Sequence, residues 1–308
     1  MNQFNKLPLS IDEQLELWQA RGLTIPNSER ARRYLSVISY YRLSAYSLPF
    51  QKAEEGHAFR QDVSFDDILS LYVFDRELRL LLLDAIERIE VAFRAHMTQV
   101  LGEHHGSHAY AKPEIFDDRY DHGWLLRQVR GKCQSRQAEP FLQHYRKKYR
   151  DPELPPVWMV MEVLTFKEIS FLFAHLRRKE DKQAIADFWN LPVPVAQSWF
   201  RAMSDLRNTC AHHARTWNRE FGSRPVIPKK TLKPWPDLSS LTRTGIDPTK
   251  RLYYLLVVTE YLLRRINPRS SWHRRLFELL EKYPKVSREH MGMPENWFEE
   301  SFWHLDGQ

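Results

Sequence analysis

Apolar positions in this chain recur at three- and four-residue spacings instead of alternating, and that pattern predicts helices from one end to the other. Ser10 followed by Glu13 is a capping-box pattern, and the residues through Trp18 read as a short helix stopped at Gly22. A second helix is expected from Ser28 through Ile38. YYRLSAYSLPF, Tyr40 to Phe50, then crowds aromatic rings around a single charge, Arg42, a composition suited to plugging a groove in the core.

Ser64 with Asp67 opens the longest periodic stretch, expected to run to about Val100 and to stop at Gly102. Along it Asp75 with Arg79, Asp84 with Arg88 and Glu90 with Arg94 are spaced for i,i+4 pairing, while leucines and isoleucines fill the other faces. This is the spine of a bundle, and its carboxylates, Glu87 and Glu90 included, read as solvated surface charges. VWMVMEVLTFKEISFLFAHL reads as one strongly apolar buried helix, a shorter one follows around Asp181 to Trp189, and LPVP breaks the chain before a new helix. SRPVIPKKTLKPWPDL reads as an exposed loop, after which a helix starts at Asp247 and Pro248 and ends at Asn267 and Pro268. A last helix is expected from Trp272 to Tyr283. No segment alternates at period two, so the expected fold class is all-α: accessory helices over residues 1–60, a bundle over 61–285 with a basic segment inserted at 127–150, and a tail over 286–308 packed on the bundle.

Charge narrows the partners. The chain carries 46 Lys and Arg against 39 Asp and Glu, a net +7 that favours polyanions. Between Arg127 and Arg150 there are eight cations and one acid, Glu139; with Tyr145 and Tyr149 interleaved, FLQHYRKKYR suits phosphate contact through Arg146, Lys147 and Lys148 and stacking on bases, although a solvated helix face has the same composition. No GxG or GxxxxGK loop is present, which removes the usual nucleotide-binding turns. Cys133 and Cys210 make neither a disulfide framework nor a zinc spacing, and no signal segment or apolar run of about 18 residues occurs, so a soluble cytoplasmic protein is expected. His104, His105 and His108 cluster but lack a carboxylate or thiolate to complete a ligand set; they read as loop histidines, and neither metal nor other cofactor is expected.

The chemistry-bearing stretch is DLRNTCAHHARTWNR, Asp205 to Arg219. On a continuous helix at about 100° per residue, Val195, Trp199, Ala202, Leu206, Cys210, His213 and Trp217 share one apolar stripe, while Asn208, His212, Arg215 and Arg219 form a polar column. That separation makes His212 the candidate catalyst and His213 a packing residue. Histidine can take and return a proton near neutral pH as a ribose 2′-hydroxyl attacks the adjacent phosphate, and arginine, always charged, can hold that phosphate. Arg207 is the candidate cation and Asn208 a candidate to orient the imidazole, but Arg207 and His212 diverge by about 140° on an ideal helix. Either the helix deviates, the arginine swings across, or two copies of the motif meet.

An RxxxxH spacing alone is weak. RNTCAHHARTWNR nevertheless closely resembles the signature of the Abi family of abortive-infection proteins, AbiD and AbiF type, within the HEPN superfamily, and YYRLSAYSLPF, FDRELRLLLLDAIERIEVAFR, EPFLQHYRKKY, PPVWMVMEVLTF and MGMPENW resemble that family's blocks in its order. The resemblance implies a HEPN-type helical bundle whose motif cuts RNA without metal, with Arg207, Asn208 and His212 as the motif residues, two motifs joined in a homodimer, and 2′,3′-cyclic phosphate and 5′-hydroxyl ends. It also implies a toxin of anti-phage defence restrained by a protein antitoxin or a small structured RNA, the RNA suiting the basic segment. Arg215 and Arg219, from the polar column, are candidate RNA contacts beside the motif. Two other readings remain at this level: a non-catalytic RNA-binding or regulatory HEPN protein, and a partner modified by a cognate nucleotidyltransferase.

Overall fold

The computed structural model describes residues 7–53, 56–229, 232, 234–238 and 247–304. The expected SRPVIPKKTLKPWPDL loop therefore has Lys230, Thr231 and Lys233 outside the described residues, as does the end of the C-terminal tail from Leu305. Among the described residues there are twelve α-helices and no strand, so the fold is all-α. No helix is long and apolar enough to cross a membrane.

Contacts divide the chain into one unit of residues 1–79 with 277–286 and a second of residues 80–276 with 287–308. In the first, α1 (Ile11–Ala20) starts on the expected box, the Ser10 hydroxyl accepting the Glu13 N–H and the Glu13 carboxylate accepting the Ser10 N–H. α2 is Ser28–Ile38 and α3 Tyr40–Ser47. The aromatic segment only partly plugs the core: Tyr46 is buried, whereas Tyr41 is exposed. Trp18 is fully enclosed, its ring 4.7 Å from that of Tyr40 and 6.0 Å from that of Phe65.

The longest helix, α4, is Phe65–His105, 41 residues or about 61 Å at 1.5 Å per residue. It runs straight through Gly102 and stops at Gly106, which takes a left-handed φ of +84°. A glycine without φ > 0 is no stop; the next one, which supplies it, is. All three expected i,i+4 pairs form. Two of them are not surface pairs, however: Asp75 is 0% exposed and takes hydrogen bonds from the Tyr46 hydroxyl (2.6 Å) and Arg79 (2.5 Å), and Glu90 with Arg94 is mostly enclosed.

The second unit contains α4 from Leu80, α5 (His122–Gln134), α6 (Pro140–Lys148), α7 (Val157–Val163), α8 (Phe166–Ala174), α9 (Lys179–Phe188), α10 (Val193–Ala211) and α11 (Leu252–Ile266). What reads as one apolar helix from Val157 is two, because Thr165 and Glu168 form a capping box that restarts the chain as α8. The apolar face of α10 packs on α4 and α8: the Phe200 ring stacks on Phe93 at 3.9 Å, and Phe93 meets Phe173 edge-on at 5.6 Å. α11 is buried almost end to end and includes Glu260, whose carboxylate takes Arg264 Nε at 2.7 Å and lies 3.0 Å from His273 Nδ1. α12 is Trp272–Lys282.

The connection after Phe221 is partly tied down instead of lying free. The Val226 carbonyl accepts from Trp199 Nε1 (2.8 Å) and the Tyr254 hydroxyl (3.0 Å), and Trp235 stacks on Trp199 at 5.7 Å. The C-terminal segment turns at Gly292, φ +75°, where a side chain would collide with Arg251. Beyond it Trp303 is buried, its Nε1 donating to the Tyr253 hydroxyl at 3.3 Å.

Glu300 lies in that segment, and its partial burial pushes its carboxyl up to about 7, offset in part by the Asp237 N–H that donates to it at 3.0 Å. Its folded affinity for the proton exceeds its unfolded one. Its contribution is therefore full at acid pH and lost as pH rises from about 4.5 toward 7. Glu300→Gln is expected to flatten the stability profile over that window and to stabilise at pH 8 by about 1 kcal/mol, after discounting for solvent at a partly exposed group. Thermal unfolding of both proteins across pH measures this.

Candidate functional site

α10 delivers the motif and then ends inside it. The last helical residue is Ala211, and His212 is the C-cap, its N–H donating to the Asn208 carbonyl at 3.0 Å. His213 N–H donates to the Cys210 carbonyl and Ala214 N–H to that of Thr209, both at 3.0 Å, with His213 at φ +56°. That bond pair with a left-handed residue is a Schellman turn, in a place that glycine usually takes.

The continuous wheel through Arg219 therefore fails after Ala211, and with it the column Asn208, His212, Arg215, Arg219 as a helical face. His213, expected on the apolar stripe, is exposed, because it turns the chain instead of packing. The stripe itself holds up to Cys210, which is buried with Val195, Trp199, Ala202 and Leu206. Trp217 is also buried, but from an irregular segment, its Nε1 donating to the Ser287 carbonyl at 3.0 Å.

The turn folds the following residues back beside α10 and borders an open cavity of about 530 Å³. Asn208, His212 and Arg219 line it, together with Arg201 and Asp205 from the preceding turns and Phe221 to Ser223 from the returning chain. Asp205 accepts the Ser223 hydroxyl, which pins that return. The His212 side chain is exposed and makes no hydrogen bond among the described residues. Arg219 lies with its guanidinium 6.0 Å from the centre of the Phe221 ring.

Arg207 does not line this cavity. Its guanidinium faces Glu90 of α4, Nε to Oε2 4.0 Å, and donates to Asn208 Oδ1 at 3.3 Å, while 45% of the side chain stays exposed. Asn208 thus holds the arginine with its amide oxygen and His212 through its backbone carbonyl. Glu90 is shared, since it also pairs with Arg94, which donates in turn to the Met161 carbonyl. Arg215 is half-buried and outside the cavity lining.

The basic segment resolves into two helices with different roles. Tyr145 is not available for stacking: it is buried, and its hydroxyl donates to the Pro152 and Leu154 carbonyls at 2.8 and 3.1 Å. Arg146 is committed to the Cys133 carbonyl at 2.7 Å, whereas Lys147 and Lys148 are exposed at the end of α6, Lys148 5.2 Å from the Tyr149 ring. His104 and His105, expected in a loop, belong to the last turn of α4 and grip the buried Asp181 of α9, each at 2.7 Å. Burial alone would raise the Asp181 carboxyl; the two histidine hydrogen bonds outweigh it and hold the group below its usual range.

Sequence reasoning underrated the returning chain, because nothing in FGS at 221–223 marks it as the far wall of a cavity. The signal that could have found it is the helix stop at the double histidine, which periodicity alone overrides.

No curated protein and no solved structure matches the chain. The family of Abi-like proteins matches residues 33–218, which carry the aromatic segment, α4, the basic helices and the motif as far as Trp217 and Asn218. That span exceeds half of the 308 residues, and the chain belongs to the Abi-like protein family.

Proposed function

We propose that this protein is a metal-independent endoribonuclease of the HEPN type, acting as an abortive-infection toxin in anti-phage defence. The observation that carries the reading is the cavity that His212, an exposed histidine, lines together with two arginines, Arg201 and Arg219. Membership of the Abi-like family supports it.

The reaction follows from those groups. His212 accepts the proton of a ribose 2′-hydroxyl as its oxygen bonds to phosphorus; the bond from phosphorus to the 5′-oxygen breaks, and that oxygen takes a proton. The products are a 2′,3′-cyclic phosphate and a 5′-hydroxyl end. A guanidinium fork on the non-bridging oxygens stabilises the charge that builds there.

One chain supplies one motif histidine, and Arg207 is turned toward Glu90 and away from the cavity. A homodimer would bring a second Arg207 and His212 to the phosphate, one histidine acting as base and the other as acid. Lys147 and Lys148 would hold flanking RNA, or the structured RNA of an antitoxin, through phosphate contacts.

Incubating the purified protein with total RNA in EDTA is expected to give fragments with cyclic phosphate ends. Intact RNA sinks the reading, and so does cutting that survives His212→Ala unchanged. The second reading, RNA binding without cleavage, is favoured by the Glu90 carboxylate, which already neutralises part of the Arg207 charge. It predicts retained RNA in a filter assay with no new ends.

A further inference from the structure

Arg201 and Asp205 line two cavities. Beside the one that holds His212 lies a second, of about 470 Å³, between α8 and α10, bounded by Lys167, Ser170, Phe171 and Ala174 on one side and by Pro194, Gln197, Ser198 and Ser204 on the other. The two form one groove along α10. We propose that this second cavity is a subsite for the nucleotide next to the scissile phosphate, and that it makes the protein selective for single-stranded RNA. The inference rests on the nuclease reading of His212 for its orientation only; the subsite stands on its own residues.

Two cations flank the groove, and neither is spent. Lys167 and Arg201 are exposed and make no ion pair among the described residues, in contrast to Arg94, Arg177 and Arg264 of the same unit. Arg201 sits where the cavities meet, so a phosphate held there would leave one nucleotide beside His212 and the next over α8. Phe171 supplies the base platform. The residue is 41% exposed, and its ring is held edge-on to His175 at 4.4 Å and tilted against Tyr120 at 5.7 Å. His175 is itself held by Asp117 at 3.0 Å. An exposed aromatic ring next to unpaired cations is the arrangement that binds unpaired bases, since every base has a face to stack. A base paired in a duplex does not present its face to such a ring.

The test uses the full chain with His212→Ala, so that binding is read without cutting. A short unstructured fluorescent oligoribonucleotide is titrated by anisotropy at several salt concentrations, with the same strand annealed to its complement as competitor. The single strand is expected to bind and the duplex to compete poorly. Lys167→Ala with Arg201→Ala is expected to lower the slope of log affinity against log salt by about 1.4, two phosphate contacts at roughly 0.7 each. Phe171→Ala is expected to weaken binding about 5- to 150-fold, and Phe171→Trp to retain it. All three side chains are exposed, and matching unfolding midpoints will show that the variants fold. An unchanged salt slope, equal losses for Phe171→Ala and Phe171→Trp, or equal competition by the duplex overturns the subsite. If the wild type cuts no RNA yet these losses appear, the nuclease reading falls and the subsite stands; cutting without them leaves the reverse.

Discussion

His212→Ala is expected to lower RNA cleavage by about 10²- to 10⁴-fold, the usual worth of a positioned proton-transfer group, while leaving stability within about 0.5 kcal/mol. The two halves of that expectation come from different atoms. The cap of α10 is made by the His212 backbone N–H, which alanine keeps, and the imidazole, which alanine removes, is exposed in the cavity and hydrogen-bonds to nothing among the described residues. Initial rates on a defined RNA and a urea unfolding curve, measured on the same preparation, separate catalysis from folding. A comparable loss in both would mean that the ring is structural, and the assignment of a proton-transfer role would fail. A rate unchanged within twofold would fail it more directly.

The largest expected loss of stability lies elsewhere, at Asp75. Its carboxylate is completely enclosed and receives both the Tyr46 hydroxyl and the Arg79 guanidinium, which is itself 5% exposed. Alanine there takes the carboxylate away from a buried cation and from a buried hydroxyl, which keep only their own weaker contact at 3.3 Å within this trio, and removing one partner of such a pair costs about 3–5 kcal/mol. Asp75→Asn keeps an acceptor for Tyr46 and loses the charge opposite Arg79, so roughly half of that cost is expected. Urea midpoints give the comparison, with an unchanged denaturant slope showing that the folded state is the same. A loss under about 1 kcal/mol for Asp75→Ala would mean that water reaches Arg79.

Why one i,i+4 pair is worth so much and another so little was not legible in the sequence. Asp75 with Arg79 and Asp84 with Arg88 have the same spacing and chemistry, but the first is enclosed and the second is about two-fifths exposed on each side. Spacing reports which side chains can meet; what covers them is settled by residues far away in sequence, here Tyr46. The capping boxes at Ser10 and Ser64 were legible because their physics is local. The same pattern at Thr165 and Glu168 was on view too, but a run of apolar residues across it suggested continuity. Of the candidate site, Asn208, His212 and Arg219 do share a cavity, though not as a helical column. Arg207 touches Asn208 but lies outside that cavity, its guanidinium turned to Glu90, a residue more than a hundred positions earlier. No reading of the motif by itself could have found that partner.

The left-handed turn at His213 bears on how the double histidine should be dissected. Alanine is the matched replacement at both positions, because histidine and alanine both carry a Cβ: His213→Ala keeps the backbone strain that the wild type already bears at φ +56° and removes the ring. Glycine at His213 would instead relieve that strain and loosen the unfolded chain, mixing a backbone effect with the loss of the imidazole. A scan that uses glycine at the turn would let that backbone effect mask whatever chemical importance the second histidine has.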